Sequence, residues 1–177
     1  MSFMKGKKNV INKSCYYCGA LIAHLLTNKI TNTAPVLCDE SKDSKSLSFL
    51  TDNGEYNLYI KYSTKFNRTK KRNEEYRKCQ FTFSNQEIER IKTYTAQKQN
   101  VYLTFICTNS GLNETEIAFV EIEKALEILG FDEINDRKNL YVKHIKGKEH
   151  LMIWGTMLDK ENAYKIPKDF NVFFKKK

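Results

Sequence analysis

Apolar and polar residues alternate with a period of two over much of residues 46–83, the rhythm of extended strands with a buried and a wet face. Residues 46–51 form a short first strand. Asp52, Asn53, Gly54 and Glu55 follow as a hairpin turn, because an Asn-Gly step tolerates positive φ. Along 56–64, Tyr56, Leu58, Ile60 and Tyr62 fall on one face and Asn57, Tyr59, Lys61 and Ser63 on the other, which predicts one buried face. Residues 76–83 give a third strand on which Cys79, Phe81 and Phe83 share a side. Together the three predict an antiparallel meander.

The period then changes. Ser84 followed by Glu87 is a capping box, and Ile88, Ile91 and Thr95 recur at helical spacing, so 84–98 reads as a helix. Residues 101–107 are apolar on both faces, as expected of a central strand. A short strand at 115–119 runs into a helix carrying Ile122, Ala125, Leu126 and Leu129, with Gly130 placed to end it. Residues 139–146 and 150–155 make a second hairpin around Gly147, and 166–174, with Pro167, is at most an edge strand. The pattern predicts an α+β core domain over 46–177, with about seven strands in one mainly antiparallel sheet and two helices. Residues 1–45 fit neither period and read as an N-terminal extension.

Length and composition add boundaries. The chain has 177 residues, 41% of them hydrophobic, with seven glycines and two prolines, enough for a globular core without disulfides or metal. The positive start has no apolar stretch behind it and does not read as a secretory signal. The longest apolar run, 20–26 interrupted by His24, is far shorter than the roughly 20 residues of a spanning helix. Five cysteines are too few for a disulfide scaffold, so reduced thiols in a cytoplasmic protein without membrane contact are the expectation.

Cys15-Tyr16-Tyr17-Cys18-Gly19 has the spacing of half a zinc knuckle. Cys38 and His24 are the residues that would complete a structural Cys3His site. Cys79 and Cys107 sit on apolar strand faces and read as packed thiols.

The net charge of +9 is unevenly spread. Residues 112–136 carry −7, so the remainder carries +16, and the densest positive stretch lies between the second and third strands. There Lys65, Arg68, Lys70, Lys71 and Arg72 occupy eight residues at a hairpin tip, where they could neutralise phosphates, with Phe66 available to stack on bases. The acidic helix around Glu121–Glu127 could instead face a basic protein.

Catalytic signatures are sparse. Glycine-rich phosphate loops, nucleophile elbows and His-Glu-x-x-His are all missing from the sequence. His144 and His150 flank the second hairpin. A two-residue turn at Gly147-Lys148 puts them on opposite faces, and a three-residue loop pairs them. Meander, helix and strand in this order resemble part of the restriction-endonuclease-like core of the PD-(D/E)xK family. That resemblance implies Mg2+ held by two carboxylates beside a lysine that polarises water. Asp52 and Glu55 precede the second strand, but Glu74 and Glu75 stand four and three residues before Lys78 rather than two. Tyr59-Ile60-Lys61 has the lysine without the acid, so the pattern departs from the family motif.

The sequence therefore points to a small basic binding protein without catalysis that contacts nucleic acid through the basic hairpin. The alternatives are a protein-interaction or inhibitor module using its charge poles or an exposed edge near Phe170 to Phe174, and a Mg2+-dependent nuclease or an inactive relative.

Overall fold

The computed structural model describes residues 11–31, 35–40, 45–130 and 137–174. In chain order the elements are α1 (Lys13–Thr27), β1 (Val36–Glu40), β2 (Lys45–Thr51), β3 (Gly54–Ser63), β4 (Asn67–Lys71), β5 (Glu74–Ser84), α2 (Asn85–Gln97), β6 (Val101–Thr108), β7 (Thr115–Glu121), α3 (Ile122–Leu129), β8 (Arg137–Ile145), β9 (His150–Gly155), β10 (Tyr164–Pro167) and α4 (Asn171–Phe174). A single 3-10 turn, Lys160–Asn162, lies between β9 and β10.

The strands form two five-stranded sheets, one ordered β1-β2-β3-β6-β7 and the other β10-β9-β8-β5-β4. Every pairing is antiparallel except β3 with β6. A parallel pair needs a long crossover. Here the chain leaves the first sheet after β3, builds the β4–β5 hairpin of the second, passes through α2, and returns beside β3.

The sheets share one core. Tyr59, Leu103, Phe105 and Val120 from the first belong to the same buried cluster as Phe81, Phe83, Val142 and Ile153 from the second. The rings of Phe81 and Phe105 meet at 4.6 Å across the gap. Helices α2 and α3 extend this core with Ile88, Ile91, Ala125 and Ile128. A second core lies on the other face of the first sheet. There α1 lays Tyr17, Leu21 and Leu25 on Leu47, Leu58, Ile60 and Phe119, and Phe174 of α4 joins them.

The α+β class matches the sequence pattern, but the layout differs in four respects. Among the described residues there are ten strands and four α-helices, in two sheets instead of one. The expected meander is broken because β5 pairs with β4 and β8, not with β3. Strand β3 is buried on both faces, since Asn57, Tyr59 and Lys61 point into the inter-sheet core. The fourth difference is the stretch with Cys15 and Cys18, which is helix and not a knuckle turn. Asn12 caps it by accepting a hydrogen bond from the Cys15 N–H at 2.8 Å, and the spacing of Tyr17, Cys18, Leu21 and Leu25 gives it a buried stripe.

Candidate nucleic-acid interface

Strand β4 is the edge of the second sheet, and all five of its residues are exposed. It turns into β5 through Arg72 and Asn73, with Arg72 at φ 52°, a left-handed conformation uncommon for arginine. The basic segment is thus an edge strand with a tight turn, and Lys65, Arg68, Lys70, Lys71 and Arg72 all reach solvent. Phe66 does the opposite. It is fully buried in the inter-sheet core, so it anchors the hairpin and offers no stacking surface.

The inward side of this hairpin is clamped by carboxylates. Arg68 Nε lies 2.9 Å from Glu75 Oε1, and its guanidinium donates to Glu114 Oε1 at 3.0 Å. Arg77 pairs with the same Glu114 oxygen, and Lys146 Nζ donates to Glu75 Oε2 at 3.0 Å. Glu114 precedes β7, so the clamp ties the basic edge of one sheet to the other. Desolvation pushes the Glu114 carboxyl up, but the bonds and charges of Arg77 and Arg68 outweigh it and hold the group below its ordinary range. The Lys146 hydrogen bond acts similarly on Glu75, helped by the charges of Lys146, Arg68 and Lys70. Arg68 is therefore held by two carboxylates, one from each sheet.

The outward side is polar and partly exposed, with Lys143 and Trp154 buried within it. Register places Asn67, Thr69 and Lys71 of β4, Tyr76, Lys78, Gln80 and Thr82 of β5, and Arg137, Asn139, Tyr141 and Lys143 of β8 on one face. Met152 and Trp154 of β9 and Lys165 of β10 continue it. The buried residues of α1, α2, α3 and α4 fall in the two cores, so none of these helices covers this face. Lys71, Lys78, Arg137 and Lys165 are exposed on it. Lys78 stands directly opposite Lys143, a like-charge pairing that costs stability in a sheet. The cost is relieved locally. Lys143 Nζ donates to Glu74 Oε2 at 2.5 Å and sits 4.2 Å above the Tyr76 ring, while Lys78 lies over Tyr141, itself stacked on Trp154 at 5.3 Å.

The other residues singled out by sequence are spread through the fold. Cys15 is exposed on α1 with its sulfur 3.5 Å from Lys45 Nζ, whereas Cys18 is buried beneath the helix. His24 stacks on Phe170 at 4.5 Å, and the Cys38 side chain lies outside the described residues. Among the described residues no three His, Cys, Asp or Glu side chains cluster as metal ligands. His144 pairs with Leu151, so His144 and His150 face opposite sides of the sheet. His144 is buried, with Nδ1 3.0 Å from Glu116 Oε1 and Nε2 3.1 Å from the Lys148 carbonyl oxygen. Asp52 and Glu55 flank the β2–β3 turn of the first sheet, while Glu74 and Glu75 open β5 of the second. The carboxylates expected to share Mg2+ are thus on different sheets. Residues 171–174 form α4 and not an edge strand: Phe174 packs against Phe49, Tyr56 and Phe119, while Val172 is exposed. No helix among the described residues is long and apolar enough to cross a membrane.

No protein-family model matches the chain, and comparison with curated proteins and with solved structures finds no match either. This outward face also leaves a signal in the sequence. The polar positions 76, 78, 80 and 82 alternate with buried Cys79, Phe81 and Phe83 in one strand.

Proposed function

We propose that this is a binding protein without catalysis that contacts nucleic acid through the β4 edge and the adjoining exposed lysines on the outward face of the second sheet. The observation that carries the reading is the exposure of Lys65, Lys70, Lys71 and Arg72 along one edge, continued by Lys78 on the face beside it. Phosphates lying along β4 would be neutralised by these side chains, each releasing counterions. The clamp of Arg68 and Arg77 by Glu114 holds the edge strand in place, so the cationic row is presented on a rigid element. Tyr76 adds a half-buried ring beside the charges, and an unpaired base could stack on the side of it that Lys143 does not cover.

The test is a fluorescence-anisotropy titration of labelled single- and double-stranded oligonucleotides at low salt. The wild type is expected to bind, and the Lys70→Glu/Lys71→Glu/Arg72→Glu variant to lose most of that affinity while keeping its fold. Equal binding by the two proteins, or none by either, refutes the reading. If a pull-down after nuclease treatment instead recovers a protein whose binding tracks the same substitutions, the edge serves a protein partner.

A further inference from the structure

Cys79 and Cys107 come from different sheets. Cys79 lies within β5, opposite Val142 of β8, and Cys107 lies near the end of β6, opposite Glu116 of β7. Their sulfurs are 2.9 Å apart, with Cys79 only 3% and Cys107 0% exposed. A disulfide requires a sulfur–sulfur distance of about 2.05 Å, so roughly 1 Å of approach would close the bond. The pair therefore stands where one covalent link would join the two layers of the fold.

We propose that Cys79 and Cys107 form a reversible dithiol–disulfide pair that fastens the two sheets together, closed by a small uncharged peroxide and reopened by a small thiol reductant. In the first step the less buried Cys79, as thiolate, attacks a peroxide oxygen. The O–O bond breaks, hydroxide leaves and takes up a proton as water, and Cys79 becomes a sulfenic acid. Cys107 then displaces hydroxide from the Cys79 sulfur, forming the S–S bond, and its proton completes a second water. The two thiols give up two electrons and two protons, and the peroxide is reduced to two waters. Burial, reinforced by the neighbouring Cys79, holds the Cys107 thiol well above its ordinary pKa. Closure is accordingly slow at neutral pH, slower than oxidation of the exposed Cys15.

The test uses the wild type and a Cys15→Ser/Cys18→Ser/Cys38→Ser variant that keeps only this pair. Each is exposed to hydrogen peroxide, unfolded in N-ethylmaleimide, digested and weighed. The expected product is a peptide pair joining residues 79 and 107, lighter by two hydrogens and separated by dithiothreitol, with a melting temperature raised by several degrees in the oxidised protein. Maleimide on both residues after oxidation, or separate sulfinic acids without a linked peptide, overturns the proposal. The linked-peptide map of the wild type decides the matter even if the triple variant fails to fold.

Discussion

Lys61 on β3 and Glu87 on α2 form a buried ion pair between the two sheets, the ammonium lying 2.9 and 3.0 Å from the two carboxylate oxygens. Lys61 also donates to the Thr82 carbonyl at 2.8 Å and sits 4.2 Å above the Phe83 ring, while the Tyr59 hydroxyl donates to Glu87 Oε1 at 3.1 Å. The two charges fasten strand, helix and second sheet at one point. This explains why the capping box is only half used. Ser84 Oγ accepts from the Glu87 N–H, but the Glu87 carboxylate turns inward to Lys61.

Removing one partner leaves the other charge buried and unpaired, which costs about 3–5 kcal/mol. We expect Glu87→Leu and Lys61→Met each to lower the free energy of unfolding by an amount in that range. The double substitution Lys61→Met/Glu87→Leu should recover much of the loss, because no buried charge remains. Urea unfolding of all four proteins gives the coupling directly, and strictly additive losses would mean that the pair does not act as a unit.

The clamp at Glu114 makes an acid-side expectation. Its folded-state pKa lies below the unfolded value, so its contribution to stability is present above the unfolded pKa and is lost as pH falls through the folded one. With an unfolded glutamate near pKa 4.3, the loss falls below about pH 4. Glu114→Gln should flatten the acid limb of the stability curve while leaving its neutral region little changed in slope. Urea midpoints taken stepwise from pH 6 to pH 3 would show this.

Gly155 ends β9 in a tight corner. A methyl group there would run into the Asn139 carbonyl oxygen and the Ile128 side chain, joining β8 and α3 at one place. Overpacking of this kind costs typically about 1–3 kcal/mol. Gly155→Ala is expected to lower the melting temperature, whereas Gly147→Ala, with open space around the position, would be strained only by its φ of +80°.

The parts of the fold that were legible in sequence are those fixed by neighbouring residues. The helix at α2 was visible because Ser84 can cap locally and Ile88 and Ile91 repeat at helical spacing. Strand β3 was visible from its alternation, but its partner was not. Nothing near Tyr59 says that its other neighbour is Leu103, more than forty residues on, or that Phe81 turns to Phe105 across a second sheet. Strand β4 has no apolar period at all, because an edge strand with both faces wet needs none. Helix α1 was hidden for a different reason. The Cys-x-x-Cys spacing drew attention to metal chemistry, while Tyr17, Leu21 and Leu25 at helical spacing carried the structural message. The basic residues were legible as a cluster, but Glu114, which engages two of the arginines, lies too far along the chain for local spacing to reveal.

The most direct measurement is the salt dependence of oligonucleotide binding, with log K followed against log salt for the wild type and for Lys70→Gln/Lys71→Gln. If four or five cations neutralise phosphates, the wild-type slope is about −3 to −4.5, at roughly −0.7 to −0.9 per contact. The double variant should bind more weakly and with a slope shallower by about 1.4 to 1.8, since it loses two contacts. A wild-type slope near zero, or a slope unchanged by removing Lys70 and Lys71, would contradict binding through the β4 edge.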